Sequence, residues 1–383
     1  MKNFLPGQYR KDKKFKIKHN YLSEQFYDYN SIFKEIKKVI KFNDFTLGKN
    51  VDKFEEKIKK LLKSKYVISV GSGTDAIMLS LKCIGVREGD EVITTPYTFY
   101  ATIGAIVTLG AKPVFVDVKD DYNLDPQKIE KKITKKTKAI LPVHWSGRVC
   151  NMSEINKIAK KNKLKVIEDS CHAILATYKG KIAGNLGDLG CFSMHPLKNL
   201  NIWGDGGFIT TNNKSYFEKL MLLRNHGLIS RNINKIFGYN SRLDTVQATV
   251  ALHLLKKINF ITNKRISNAK KLDMNLKKID GVYTKQRLMN LKEVFHLYEF
   301  RVKKKLRNKL LFYLQKNRID AKIHYPIPMH LQPAAKEYGY KKGDFPTCEK
   351  ISDTTISIPI HEFISNKQIN FISKKIEKFF NEN

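Results

Sequence analysis

Between residues 66 and 212 the sequence alternates short apolar runs rich in β-branched residues with segments of helical spacing, and this alternation restricts the chain more than any other feature. The candidate strands are Tyr66 to Val70, Glu91 to Thr95, Pro113 to Val118, Ala139 to Val143, Lys165 to Asp169, Gly190 to Met194 and Phe208 to Thr211. Asp75 to Ile84, Thr98 to Leu109 and Met152 to Asn162 carry the helical spacing between them. Strands fed through helices imply a mostly parallel sheet covered on both faces, an α/β fold. Ligands of such sheets gather at the carboxyl ends of the strands. After about residue 255 the sequence becomes charged and helix-rich, with shorter strand candidates at Val294 to Val302 and Thr355 to Pro359. The expected division is a basic N-terminal arm over 1–20, a large α/β domain over 21–255 and a smaller C-terminal α+β domain over 256–383.

A chain of 383 residues is long enough for two such cores. Its 42% hydrophobic and 11% aromatic residues exclude a disordered polymer, and no apolar run approaches the length of a membrane helix. The start, MKNFLPGQYRKDKKFKIKHN, is basic and lacks the apolar segment of a secretory signal, so a cytoplasmic protein is expected. Cys83, Cys150, Cys171, Cys191 and Cys348 stand singly, which favours reduced thiols and no structural zinc. The net charge of +35 raises a nucleic-acid partner. Yet the lysines are spread along the whole length with no recognisable binding module, so no nucleic acid is expected and an anionic small substrate fits as well.

The stretch YVISVGSGTDAIML, residues 66–79, carries Gly71-Ser72-Gly73 and then Ala76, like a dinucleotide-binding turn. Such a site also needs an acidic residue closing the next strand, and that strand ends in Thr94-Thr95-Pro96. A nucleoside-triphosphate loop fails too, because no Lys-Ser or Lys-Thr follows the glycines. What survives is a strand-turn-helix whose amides at Gly73, Thr74 and Asp75 can hold one phosphate, with a helix-terminal attraction of about 0.3 to 1 kcal/mol.

Two segments downstream give that phosphate seat a chemistry. In VIEDSCHA, residues 166–173, an apolar strand delivers Asp169 to its carboxyl end with His172 close behind. In CFSMHPLKNLNIWGDGGFITT, residues 191–211, Lys198 follows a strand in a glycine-containing loop. Most lysines are solvated surface residues. One held near a carboxylate and a phosphate seat can form a Schiff base with an aldehyde cofactor. Pyridoxal phosphate needs such a lysine, a carboxylate for its pyridine nitrogen, a phosphate seat and a flat partner for its ring. Lys198, Asp169, Gly73 to Asp75 with Ser193, and Phe99 in TTPYTFYAT supply the four. His172 is a candidate partner of the ring hydroxyl, the alternative being a packed histidine at a strand end.

The order GSGTDA, GDEVITTPYTFYAT, GAKPVFVDV, PVHWSG, VIEDSCHA, FSMHPLKN, GDGG, GYNSRLD and HYPIPMHLQPA, from about residue 45 to the C-terminus, resembles the sugar aminotransferases of the DegT/DnrJ/EryC1/StrS family. The resemblance implies the aspartate-aminotransferase fold (pyridoxal-phosphate fold type I) and a homodimer with active sites shared across its interface. Asn240, in GYNSRLD, occupies the position that reaches the neighbouring subunit's cofactor phosphate. Glutamate would give its amino group to the cofactor, and a nucleotide-linked keto sugar would accept it, making an amino sugar for surface glycans. Lys198 would shuttle the proton; family dehydratases carry histidine in its place, so this lysine favours transamination. KNLNIWGDGG is closer to the KNLGA-x-GDGG pattern of relatives that aminate a 3-keto group than to the KPITTGEGG type of many 4-aminotransferases, with Asn201 and Ile202 departing from it. His324 and Tyr325 fall in the sugar-facing segment and are candidate substrate contacts.

Three other classes compete. An NAD-dependent oxidoreductase rests on Gly71-Ser72-Gly73 alone and gives Lys198 no role. A non-catalytic regulator of the same fold is allowed, since fold does not fix function, but it has no need of Lys198, Asp169 and His172 together. Metal hydrolysis lacks a carboxylate at a recognised spacing from His324 and His330.

Overall fold

All seven strand candidates before residue 212 pair into one sheet in the computed structural model, which describes residues 14–19 and 21–383. They are β1 (Tyr66–Val70), β2 (Glu91–Thr94), β3 (Lys112–Phe115), β4 (Thr137–Ile140), β5 (Lys165–Asp169), β6 (Leu189–Ser193) and β7 (Gly207–Thr211). Their order is β1-β7-β6-β5-β4-β2-β3, and β7 alone runs against its neighbours. β4 stops before Pro142, which has no amide to donate to a ladder. The chain still runs beside β5 there: Asp169 N donates to Pro142 O at 2.9 Å, and Val143 bridges Asp169.

Strand side chains alternate between faces, and the core divides accordingly. Val67, Ile93, Ile140, Val166, Phe192 and Phe208 pack with helices Lys49–Leu62, Met152–Lys161 and Thr245–Leu255 on one face. Their neighbours Ile68, Val92, Ala139, Ile167, Cys191 and Ile209 pack with helices Gly73–Cys83, Tyr100–Val107 and Lys214–Leu223 on the other.

A second core forms on a three-stranded antiparallel sheet of Tyr283–Thr284, Tyr298–Arg301 and Thr355–Ile358, covered by helices Lys304–Lys316 and Asn366–Asn381. The strand expected over 294–302 is shorter than its apolar pattern. Val294 and His296 donate instead to the carbonyls of Gly147 and Ser146, and Phe295 adopts φ +49°, so the chain leaves the sheet beside β4. Helix Ile258–Leu276 starts in the first core and ends in the second, so the boundary expected at 255/256 falls before a helix that both share. Residues 1–13 and 20 of the expected arm lie outside the described residues. Residues 14–19 are part of the second unit: Ile17 bridges Ile319 within its core, and Asp320 N donates to Ile17 O at 2.8 Å.

Alternation also separates the two carboxylates that end β5. Glu168 is fully buried beneath the sheet, where it accepts from Gly184 N at 2.8 Å, from Leu186 N and Gly187 N at 2.7 Å each, and from His144 Nε2 at 2.8 Å. Cys150 N donates to His144 Nδ1, so Nε2 carries the proton that Glu168 receives. Glu168 is therefore the acceptor that shapes the 184–187 turn leading into β6. Replacing it with alanine leaves four donors without that acceptor, those of His144 and Gly184 buried, and Glu168→Ala should lower the unfolding free energy by about 3–5 kcal/mol. Urea denaturation followed by circular dichroism measures this; a loss below about 1 kcal/mol would contradict the role.

Candidate active site

The carboxyl ends of β1, β2, β4, β5 and β6 converge on a cavity of about 360 Å³ whose opposite wall comes from the second unit. At the end of β5, Asp169 is 5% exposed and stands on the cavity side. Its Oδ2 accepts from Thr102 Oγ1 at 2.8 Å and its Oδ1 from Cys171 N at 3.2 Å, while Thr102 Oγ1 is also bonded to Thr98 Oγ1. The carboxylate is thus fixed by the first turn of helix Tyr100–Val107 and by its own loop.

Lys198 lines the same cavity. Burial holds its ammonium below the usual lysine range, against the neighbouring Cys171 and Asp169, which favour the charged form. His172 also lines the cavity, its ring centroid 4.2 Å from that of His296. Ser146 N donates to His172 Nδ1 at 3.3 Å, so in the neutral ring Nε2 carries the proton. Burial, with the charge of Lys198 adding to it, keeps His172 well below the usual histidine range, and the ring is a neutral donor at pH 7. Phe99 is 49% exposed at the cavity mouth with its ring 6.0 Å from that of Tyr325.

The strand-turn-helix opens the cavity floor. Ser72 caps helix Gly73–Cys83, its Oγ accepting from Asp75 N at 3.0 Å. Of the three amides of the expected seat, that of Asp75 is therefore engaged by the cap. The Asp75 carboxylate turns to Ser241 Oγ, 2.8 Å away, and Asp75 does not line the cavity. Ala76 N donates to Ser72 O, which leaves the amides of Gly73 and Thr74 as the uncommitted donors of the first turn among the described residues. Ser193, at the end of β6, stands against them. A Cβ on Gly73 would meet Ser193 Cβ at 2.7 Å and Cys171 Sγ at 3.1 Å, so glycine is what lets helix and strand end approach.

His324 and Tyr325 line the far wall, Tyr325 with φ +53°. Burial first, then the charges of Lys322 and Lys198, lower His324 to about 4. The buried Nδ1 atoms of His324 and His296 have no partner among the described residues. Asn240 is elsewhere: it is exposed, outside the cavity, and its Oδ1 accepts from Arg242 Nε.

Sequence reasoning missed His19, Tyr21, Arg265, His296, Lys322 and His361, all of which line the cavity. They come from distant segments with no local motif. Thr102 carried a signal, since Thr98 and Thr102 stand one helical turn apart in the segment that already named Phe99.

The donor set fits pyridoxal phosphate. Two helix-terminal amides and Ser193 suit a phosphate, Asp169 a ring nitrogen, and Lys198 with its lowered pKa an aldehyde carbon. The partnerless imidazole nitrogens of His296 and His324 suit a polar ligand above these.

Residues 27–377 match the model of the DegT/DnrJ/EryC1/StrS aminotransferase family. The chain is 39% identical over 363 residues to the pleiotropic regulatory protein of Geobacillus stearothermophilus, a match covering 94% of this chain and 97% of the relative. It is 36% identical over 338 residues to the UDP-2-acetamido-2-deoxy-3-oxo-D-glucuronate aminotransferase of Pseudomonas aeruginosa, covering 88% and 92%. Its fold superposes on the S. venezuelae protein DesV, solved in complex with a ketimine intermediate, with a TM-score of 0.91 and 30% identity over 95% of this chain and 98% of that one.

The cavity histidines give a pH test. His19, His172, His296, His324 and His361 are all held below the usual histidine range by burial. The unfolded chain therefore binds more protons between about pH 6.5 and their folded values, and stability, complete above that range, falls as the pH drops towards 4. In His324→Asn, the slope of unfolding free energy against pH between 6.5 and 4 should be shallower by up to about 1.4 kcal/mol per pH unit, measured as guanidinium midpoints. Identical slopes would contradict the assignment.

Proposed function

We propose that this chain, which belongs to the DegT/DnrJ/EryC1/StrS aminotransferase family, moves the amino group of glutamate onto a nucleotide-linked keto deoxy sugar, a 3-keto group being favoured over a 4-keto group. The enzyme is a pyridoxal-phosphate-dependent sugar transaminase. The observation that carries the proposal is the Lys198 amine beside the Asp169 carboxylate in one cavity at the strand ends. When bound, pyridoxal phosphate supplies an electron sink for the negative charge that develops at the substrate carbon.

The residues divide the remaining work. Asp169, fixed by Thr102 and the Cys171 amide, keeps the proton on the pyridine nitrogen. His172 donates from Nε2 to the ring oxygen, because its Nδ1 already accepts from Ser146. Gly73, Thr74 and Ser193 hold the phosphate and Phe99 covers the ring. Lys198 Nζ takes the proton from one carbon and returns it to another. That shuttle requires a neutral amine for part of the cycle, and burial lowers its pKa in that direction. His324 and Tyr325 contact the sugar, while Lys322 and Arg265 add positive charge suited to an anionic substrate.

Preference for a 3-keto group rests on KNLNIWGDGG and on the 3-oxo substrate named for the Pseudomonas relative. Surface-glycan assembly in the cytoplasm is the expected setting; among the described residues no helix is long and apolar enough to cross a membrane. We further propose a homodimer. Phe237 is 93% exposed, Ile229 60% and Ile233 56%, and these apolar side chains belong to the segment that leads into Asn240. A second copy covering them would bring Asn240 to the partner's phosphate. The name of the Geobacillus relative favours a second reading, regulation without turnover. The lysine of lowered pKa beside Asp169 supports catalysis over it.

Glutamate offered with a panel of 3-keto and 4-keto nucleotide sugars should yield 2-oxoglutarate, fastest with a 3-keto acceptor. Lys198→Ala should lower turnover by about 10²–10⁴-fold or more, and Asp169→Asn should keep the fold and lose most activity. A yellow wild-type protein that releases no 2-oxoglutarate with any acceptor would favour the regulatory reading.

A further inference from the structure

Leu197, immediately before the reacting lysine, has φ +75°, a conformation that a branched side chain adopts only when its surroundings impose it. Both carbonyls of the Leu197–Lys198 turn are held. Tyr21 OH donates to Leu197 O at 3.2 Å and lies 3.5 Å from Lys198 O, and Asn201 Nδ2 donates to Lys198 O at 2.9 Å. These two anchors belong to one closed circuit. Asn201 Nδ2 also donates to Gln25 Oε1 at 2.7 Å, and Gln25 Nε2 donates to Glu362 Oε1 at 3.0 Å. Glu362 Oε2 faces Arg265 Nε at 3.4 Å, and Arg265 Nη2 returns to Tyr21 OH at 2.5 Å.

Tyr21, Gln25, Asn201, Arg265 and Glu362 are all at most 4% exposed. A buried ion pair gives little net stability, because desolvation offsets the attraction. Its value here is geometric: segments around residues 21–25, 265 and 362 converge on two carbonyls. Asn201 stands where the KNLGA-x-GDGG pattern has glycine, so this chain makes a link that the pattern lacks.

We propose that Tyr21 and Asn201 are positioning residues that, with Gln25, Glu362 and Arg265, hold the strained Leu197–Lys198 turn and so fix where the Lys198 amine points. The inference rests on Lys198 being the reacting amine. The amine is faced by Asp169 and Cys171 from the end of β5, by His195 on its own loop, and by His172, His296 and His324 across the cavity. None of these is altered by the substitutions below.

The test compares wild type with Asn201→Gly, Asn201→Leu and Tyr21→Phe. Asn201→Leu keeps a side chain of similar size and removes the donor without adding a charge; Tyr21→Phe removes one hydroxyl and leaves the ring that stacks on His361 at 4.7 Å. The cofactor-free protein is labelled with acetic anhydride across a pH series and the modification of Lys198 is read by peptide mass spectrometry. The loaded enzyme is titrated by the absorbance of its lysine-bound cofactor, and kcat and KM for glutamate are measured. The expected result is a pH midpoint of Lys198 labelling and of absorbance displaced by about half a unit or more, with kcat about tenfold lower and KM within about twofold, as misplacement of a reacting group produces. Unchanged midpoints and kcat in a variant that only melts earlier would overturn the proposal. Should Asn201→Gly fail to fold, Tyr21→Phe decides by the same measurements. Failure of the aminotransferase reading looks different: wild type itself would show no lysine-bound absorbance, while the labelling profiles of the cofactor-free proteins would still decide whether the turn is positioned.

Discussion

Alternation of side chains along β5 is the constraint from which the rest follows. Glu168 and Asp169 are adjacent carboxylates at one strand end, and the pleat sends them to opposite faces. Glu168 meets four donors and becomes the internal acceptor of the turn before β6. That turn sets the start of β6, and β6 pairs in parallel with β5, so Ser193 ends level with the loop that follows Asp169. Asp169 accepts from Thr102 Oγ1 and the Cys171 amide, and has further acceptor capacity on the cavity side. A one-residue slip of β5 would exchange the two carboxylates, placing a structural acceptor in the cavity and a cavity group in the core.

The cavity is electrostatically unlike the surface of the chain. A protein of net charge +35 surrounds Lys198 with imidazoles that burial keeps uncharged. Desolvation outweighs every other influence on them, and the positive neighbours act in the same direction. Neutral rings suit a site that must meet carbonyl and hydroxyl groups, because each can donate from one nitrogen and accept at the other. The same desolvation acts on Lys198, where Asp169 opposes it. The net effect lowers the pKa of the amine, the direction that proton transfer through a lysine requires.

Much of this was legible in the sequence, and the failures have physical causes. Each strand candidate in the first 212 residues became a strand of the main sheet because buried parallel strands are written as continuous β-branched runs. Lys198, Asp169, His172 and Ser193 line one cavity because all stand at or soon after strand ends, which a sequence reveals. The engagement of the Asp75 amide was not legible, because a helix start has several amides and the sequence does not say which the cap takes; Ser72 takes that of Asp75. The strand expected over 294–302 forms only at Tyr298–Arg301, because apolar alternation cannot distinguish a ladder from a segment bonded to a loop. His19, Tyr21, Arg265 and His361 were invisible for a different reason: their role arises from contacts across hundreds of residues.

The placement of His296 shows how the second unit is fastened to the sheet end. Its backbone amide donates to Ser146 O, Ser146 Oγ donates to Leu297 O, and Trp145 Nε1 donates to Glu299 Oε2, which also faces Lys285 at 3.2 Å. Arg148 reaches Glu293 at 2.7 Å from the same loop. Apolar packing alone tolerates small sliding, whereas directional bonds at buried positions do not, since an unmet partner is costly. The loop that supplies His172 with its Ser146 donor is therefore the one that anchors His296, and the two rings keep their 4.2 Å spacing because a single short segment, residues 145–148, holds both sides.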